Sequence, residues 1–237
     1  MADADAQNFV AFARFVNQST DKIFAARLKE YLDVDAFLRF VAVNAVLANL
    51  DSFVGTGHNY YLWIAPKTGL AHFLPWDLNE TFGRHPSSGA PREQIDLSIR
   101  HPWSGSNRLL ERVLAQPEWT RAYQRACENL LADAAKPERL AAQIDLIART
   151  TGPVIAGESD ESRAAFARAM GGPEGPVRNG PGSRPPYRED MPLKEWITGR
   201  AASIQAQFAG QREGTLPRDS RGPGGGPPGG GFRPPPR

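Results

Sequence analysis

The chain has a single cysteine, almost no net charge and no long apolar run. One cysteine, Cys127, excludes an intramolecular disulfide, and its place in a helical pattern predicts a small buried residue. A formal net charge of +2 provides no overall attraction to nucleic acid. No segment approaches the roughly 20 apolar residues that a membrane span needs. The N-terminus, MADADAQNFVAF, has neither the basic stretch nor the apolar core of a signal peptide.

The 237 residues include 41% hydrophobic residues, enough to build a core. The 23 glycines and 21 prolines are unevenly spread, and they are concentrated in 171–186 and after residue 210. A stretch such as GPGGGPPGGGFRPPPR cannot bury a core. We therefore predict one folded domain over 1–210, irregular structure over 171–186, and a disordered tail over 211–237.

Apolar residues recur at helical spacing on both sides of a short segment with strand character. The helix over 34–50 carries only Asp35 and Arg39 as charges, which predicts the most buried element. Strands over 59–64 and 70–74 flank the turn Pro66-Lys67-Thr68-Gly69. A long surface loop near the candidate site is predicted over 84–103. The fold class is thus mainly α with a small β-hairpin, and the other predicted helices cover 3–17, 21–32, 106–115, 117–133, 137–150, 158–170 and 191–209.

Three polar residues surround this hairpin. Asp51 follows the buried helix, Asn59 opens the first strand, and Asp77 follows the second. Oxygen ligands that hold magnesium, and a separate Asp that orients an attacking hydroxyl, are the groups that a metal-dependent phosphoryl transferase needs. Taken singly, Asn59 also fits an ordinary turn exit, and Asp77 fits a helix N-cap.

Two further residues are candidates to support this site. Asn44 lies seven residues before Asp51, two helical turns, so both can face the same side. An Asn in so apolar a helix needs a partner, and we expect a hydrogen bond to the loop of Asp51. His58 precedes Asn59 and is expected to support the loop from behind, although a lone His is more often a structural hydrogen-bonding residue.

The runs NAVLANLDSFVGTGHNYYLW and HFLPWDLNETFG resemble the CotH kinase family, and the likeness extends over about residues 9–209. The resemblance implies an atypical, exported or surface-associated protein kinase, with a spore-coat role in some members. Such a kinase uses ATP and Mg²⁺ or Mn²⁺ to phosphorylate Ser or Thr of a protein substrate. It implies Asp51 as the catalytic Asp, and Asn59 and Asp77 as metal ligands. Asn79 stands where many members carry a second Asp.

Kinases of this kind also have a strand-rich N-terminal lobe with a phosphate-binding Lys. No strand-rich stretch or Gly-rich phosphate loop precedes residue 50 here. The expectation is a C-terminal-lobe portion, with the N-terminal lobe missing or supplied by a partner chain, and with little activity alone. The alternative is a catalytically inactive remnant or pseudokinase that acts as a surface or coat interaction module. A third interpretation, an unrelated helical scaffold, leaves the order of Asp51, Asn59 and Asp77 as coincidence.

Overall fold

A computed structural model describes residues 3–85, 88–171 and 191–218. This part of the chain is mostly helical with one two-stranded antiparallel sheet, which confirms the predicted fold class. Among the described residues, no helix combines the length and apolar character needed to cross a bilayer. The elements are α1 (Asp3–Gln18), α2 (Asp21–Arg27), a 3₁₀ turn (Leu28–Glu30), α3 (Val34–Val46), β1 (Tyr60–Ile64), β2 (Ala71–Pro75), α4 (Pro91–Ile95), α5 (Arg108–Leu114), α6 (Pro117–Ala132), α7 (Pro137–Ala156), α8 (Asp160–Ala169) and α9 (Leu193–Phe208).

Helix α3 lies at the centre of the fold. Asp33 is its N-cap, and its side chain accepts a hydrogen bond from the Ala36 N–H. Nine of its 13 residues are buried, and it packs chiefly against α6. The helix ends at Val46, four residues before the predicted end. The predicted helix over 34–50 was therefore too long, because the chain turns sharply at Ala48 and frees Asn49 and Leu50 for the loop of Asp51.

The hairpin packs one face on the core. Strands β1 and β2 pair in antiparallel register, with Tyr60 opposite Pro75 and Ile64 opposite Ala71. Alternate residues point inward, so Phe73 lies against Phe37 of α3 with 4.9 Å between ring centroids. The predicted first strand, 59–64, begins one residue early, and the predicted second strand, 70–74, is shifted by one residue at both ends.

The segment predicted as a surface loop over 84–103 is instead partly helical and partly buried, apart from residues 86–87, which lie outside the described residues. Gln94 of α4 is fully buried, and its amide donates to the carbonyls of Gly83, His85 and Gly89. Ile99 is also fully buried. Helical periodicity is weak in this segment, because one buried amide holds it in place and not an amphipathic stripe.

Helix α9 returns the C-terminal part of the chain to the core. Beyond it, the Ser98 N–H donates to the Thr215 carbonyl, so 211–218 belong with the folded part and not with the predicted disordered tail. The rest of the predicted tail, 219–237, lies outside the described residues. So do residues 172–186 of the predicted irregular segment.

Candidate functional site

The loop that carries Asp51 begins in the turn that ends α3. The Asn49 N–H donates to the Asn44 carbonyl and the Ala48 N–H to the Ala45 carbonyl. This is the Schellman pattern, and Ala48 holds the left-handed position that glycine usually takes, with φ 50°. The chain therefore leaves the buried helix in one defined direction.

The next residues close a tight loop. The Thr56 N–H donates to the Leu50 carbonyl across 2.9 Å. A Cβ at position 55 would lie 1.8 Å from the Leu50 oxygen, so only Gly55 allows this close backbone approach. The loop holds half-buried Asp51 at its edge.

Asp51 and Asn59 are joined directly. The Asn59 Nδ2 donates to Asp51 Oδ2 across 2.8 Å and to the Asp51 backbone carbonyl across 2.9 Å. Thr56 Oγ1 donates to the other carboxylate oxygen, Oδ1, across 3.0 Å. These donors fix the orientation of the Asp51 carboxylate. Because Nδ2 of Asn59 is used in this way, its Oδ1 is the atom left to accept a cation or donor.

The hairpin brings the end of β2 next to Asn59. The Trp76 N–H donates to the Asn59 carbonyl across 3.1 Å, one step beyond the last ladder pair. Asp77 therefore follows directly on the residue that pairs with Asn59. Its side chain is exposed, and within the described residues no hydrogen bond or ion pair involves its carboxylate.

A second contact fastens the segment after Asp77 to the segment before Asp51. The Phe82 N–H donates to the Leu47 carbonyl across 3.0 Å. Both loops thus share two anchoring points, one at Asn59 and one at Leu47.

Backbone strain is concentrated in these same loops. Among the described residues, four that are not glycine have positive φ: Ala48, Asn59, Asp77 and Phe82. Asn and Asp adopt this conformation more readily than other residues, whereas Ala and Phe pay a steric cost. Residues held in such conformations cluster at functional sites in proteins.

The predicted supporting residues have different environments. Asn44 is buried, donates to the Phe40 carbonyl and accepts from Asn49 Nδ2 across 2.9 Å. It therefore bonds to a residue two positions before Asp51 and not to Asp51 itself. His58 and Asn79 are exposed. The exposure of His58 adds no support to its expected role behind the loop, and that role stays a prediction.

Two residues on the far side of the loop escaped the sequence analysis. Ser104 donates its N–H to the Val54 carbonyl and its hydroxyl to the Gly55 carbonyl, each across 3.0 Å. Asn107 caps α5 and also donates Nδ2 to the Phe53 carbonyl. An N-cap could be predicted at Asn107 from its place before a helix, but its second contact crosses 54 residues of sequence.

The donors at this site are two carboxylates and one carboxamide oxygen. Hard oxygen ligands of this kind fit Mg²⁺ or Mn²⁺, which prefer one or two carboxylates together with substrate phosphates and water. No group of three or more His, Cys, Asp or Glu side chains in the described parts of the chain could hold a metal. Two carboxylates and one carboxamide are too few ligands for a closed protein cage, and they fit a metal that is shared with a phosphate.

An apolar face borders the site. The outer side of the hairpin exposes large side chains, with Tyr61 54% and Trp76 57% accessible and their rings 5.3 Å apart. Trp63, Leu74 and Leu78 are also exposed. The outer face of such a hairpin is usually polar, so the apolar patch here is a candidate interaction surface. We call Tyr61, Trp63, Leu74 and Trp76 the outer hairpin face.

Comparison with known proteins places this arrangement in a family. The model of the CotH kinase protein family matches residues 2–204, so the chain belongs to that family, and the resemblance carried by HNYYLW and PWDLN is confirmed. The chain is similar to inner spore coat protein H of Bacillus subtilis (strain 168), with 33% identity over 108 residues. That match covers 46% of this chain and only 28% of the spore coat protein.

Proposed function

We propose that this chain carries part of the site of an ATP-dependent and divalent-metal-dependent protein kinase that phosphorylates Ser or Thr. The observation that supports this most is the hydrogen-bonded connection from Asp51 through Asn59 to the residue before Asp77. It links a carboxylate of fixed orientation, an amide oxygen and a carboxylate that has no partner among the described residues. Membership of the CotH kinase family supports the same function.

Asp51 is the group proposed to orient the acceptor hydroxyl. Thr56 and Asn59 each donate to a different oxygen of its carboxylate, so it cannot rotate freely. Each oxygen keeps a further lone pair that can accept the proton of a substrate hydroxyl. In phosphoryl transfer this positioning contributes much of the catalysis.

Asn59 and Asp77 are the proposed ligands of Mg²⁺ or Mn²⁺, which would offset the negative charge of the ATP phosphates. Asn59 has its amide nitrogen turned to Asp51, which leaves the oxygen for the metal. Asp77 has no partner within the described residues. Asn79, exposed two residues further on, is neutral, so it adds a weaker ligand than the Asp of other members.

The outer hairpin face carries a consequence for this function. Exposed aromatic residues beside a phosphate site leave the site open to water, and a phosphoryl transferase needs water excluded. We propose that a further unit, an additional lobe of the protein or a partner chain, covers this face and supplies the groups that grip ATP. The chain described here would then have little activity alone.

The exposed face also favours a second candidate. A catalytically inactive chain that uses the outer hairpin face as a binding surface would act as an interaction module, as in a spore coat or at a cell surface. In this alternative the connected Asp51, Asn59 and Asp77 are a structural remnant that binds no nucleotide.

Metal and nucleotide binding separate the two candidates. We would titrate Mn²⁺ with and without ATP into the chain by isothermal calorimetry, and repeat this for Asp77→Ala. Asp35→Ala, at an exposed position on α3, is the matched control. The kinase proposal expects saturable binding of Mn²⁺, because its proposed ligands Asn59 and Asp77 are in this chain. Asp77→Ala should abolish this binding and Asp35→Ala should retain it. Binding that is absent, or equal in all three proteins, would favour the interaction module. Phosphate transfer from radiolabelled ATP, with and without a covering partner, then tests activity itself.

A further inference from the structure

The buried face of α9 is unusually polar. Trp196, Arg200, Ser203 and Gln207 recur at helical spacing, and each is at most 3% exposed. A helix normally buries an apolar stripe, because polar groups taken from water must find new partners. Here the partners are mostly backbone groups of distant segments, so α9 holds those segments in place.

Arg200 holds the end of α3 through its carbonyls. Its Nη2 donates to the Ala45 carbonyl across 2.8 Å, and Nε contacts the Val46 carbonyl across 3.4 Å. Its Nη1 donates to the carbonyls of Ile95 and Leu97. No carboxylate forms an ion pair with it within the described residues. The positive charge instead meets the last carbonyls of a helix, where the backbone dipole is negative.

The guanidinium remains charged at neutral pH. Burial lowers the pKa of Arg200 to about 10, still well above 7. A buried cation that makes no ion pair is costly, and its hydrogen bonds to four carbonyls offset that cost. Two of the carbonyls belong to residues 45–46 and two to residues 95–97, which are far apart in the sequence. The contact therefore fixes the distance between these two segments in space.

Trp196, one turn earlier on α9, contacts the other loop of the candidate site. Its ring lies edge-on to Phe82 with 5.8 Å between centroids, and its Nε1 donates to the Pro91 carbonyl. A Cβ at Gly83 would lie 2.4 Å from Trp196 Nε1, so no side chain fits there. One turn of α9 therefore contacts both the end of α3 before Asp51 and the Phe82-Gly83 segment after Asp77.

We propose that Arg200 and Trp196 are positioning residues that set the separation of the Asp51 loop from the Asp77 loop. The inference rests on the proposed function for its effect on metal binding, but its structural part stands on the contacts alone. The hydrogen bond from Phe82 to Leu47 is one of the two points where the loops meet, and α9 supports it from both sides. A Lys at position 200 would keep the charge but not the planar fork, and one ammonium cannot reach all four carbonyls.

The test uses two buried arginines. Arg200→Lys is compared with Arg112→Lys, because Arg112 is also buried but donates to Val16 and Ser19 at the end of α1. Trp196→Phe is the second variant, which keeps an apolar ring and removes the Nε1–H. Thermal unfolding of each variant records its loss of stability. Hydrogen exchange is then measured for peptides that cover 45–51 and 80–83, and the Mn²⁺ dissociation constant is measured by calorimetry.

Arg200→Lys is expected to speed exchange at 45–51 and 80–83 and to weaken Mn²⁺ binding on the order of 10-fold, as loss of an outer support of metal ligands does. Trp196→Phe is expected to speed exchange at 80–83 most. Arg112→Lys is expected to lower the unfolding temperature without either effect. Equal exchange changes in Arg200→Lys and Arg112→Lys would overturn the inference. If the wild-type chain binds no Mn²⁺, the proposed function loses its metal site, while the exchange data still decide the positioning role.

Discussion

The two ends of α3 are built differently. At the N-terminal end, Asp33 caps the helix through its neighbour Ala36, and its other oxygen lies 3.6 Å from Nδ1 of His72 on β2. At the C-terminal end, Ala48 sits in a left-handed conformation and Arg200 reaches the last carbonyls from 154 residues away. The first end has a favoured N-cap residue. The second makes the Schellman hydrogen bonds, but with an alanine in the left-handed position that glycine usually takes.

Helix α3 thus has an ordinary stabilising cap at one end and the candidate site next to its other end. At the N-terminal end, the capping hydrogen bond spans only three residues of sequence. At the C-terminal end, a buried cation binds the carbonyls of Ala45 and Val46, just before the strained Ala48. The candidate catalytic Asp51 follows three residues after Ala48. Strain that the surrounding structure maintains is typical of functional sites. Substitutions at the two ends should therefore separate effects on stability from effects on chemistry.

The largest effect is expected from Asp51→Asn. An amide in place of the carboxylate cannot accept the hydroxyl proton, so phosphoryl transfer should slow by about 10²–10⁴-fold. ATP affinity should stay unchanged, since Asp51 is not proposed as a metal ligand. Transfer of radiolabelled phosphate and calorimetric ATP binding, both in a form of the protein with its covering unit, check this.

Asp33→Asn is the matched control at the other end, because Asn is an equally good N-cap and should leave both readouts unchanged. A parallel loss of ATP affinity in Asp51→Asn would show that Asp51 is instead a ligand.

A smaller effect is expected from alkaline pH, which acts near the C-terminal end. Cys127 of α6 is close enough to Arg200 for their charges to interact, and burial raises its thiol pKa from 9.0 to about 12. The unfolded chain therefore loses this proton from about pH 9 while the folded chain keeps it. The free energy of unfolding should fall by about 1 kcal/mol between pH 8 and pH 10. Urea denaturation at both pH values measures the change.

Cys127→Ala provides the control for this pH dependence. Without the thiol, most of the decrease between pH 8 and pH 10 should disappear. Burial also raises the pKa of Tyr123 well above its usual value, so that group adds a decrease only at higher pH. An undiminished slope in Cys127→Ala would assign the alkaline sensitivity to another group.

At the N-terminal end, Asp33→Ala should lower the free energy of unfolding by about 1 kcal/mol, the usual cost of losing an N-cap. Metal affinity should not change, because the cap lies at the opposite end of α3 from Asp51. Chemical denaturation and Mn²⁺ calorimetry measure the two quantities. A weakened metal site in this variant would contradict the division between the two ends.

The smallest effect is expected from Ala48→Gly. Glycine removes the left-handed penalty of about 1–2 kcal/mol. It also removes a buried methyl group worth about 0.8 kcal/mol. The net gain in stability should therefore stay below about 1 kcal/mol, measured by urea denaturation. Ala36→Gly, inside the regular first turn of the same helix, should instead destabilise the protein.

The sequence was sufficient for the hairpin and for the family, because both have local signals. The Pro-Lys-Thr-Gly turn between two aromatic or apolar runs predicts the hairpin, and HNYYLW and PWDLN identify the family. The end of α3 was not predictable. VLANL continues an apolar helical pattern, and an Ala in a left-handed conformation leaves no mark in the sequence.

Contacts over long sequence separation explain the remaining errors. Arg200 lies in a helix whose polar positions look like an exposed face until their carbonyl partners are known. The position of Asn107 before a helix predicts an N-cap, but nothing in the local sequence predicts its contact with Phe53. Gln94 organises a buried turn in a segment that composition alone assigns to a surface loop. In each case a single side chain, and not a periodic pattern, determines the local structure.

The hydrogen bond from Phe82 to Leu47 holds the two ends of the segment 47–82 side by side. The Pro66–Gly69 turn lies at the opposite tip, and loop length there costs little free energy. Insertions or deletions at this tip would change the reach of the hairpin without altering the spacing of Asp51 and Asp77. The same tip is therefore a suitable position for a fluorescent label or a peptide tag that leaves the site undisturbed.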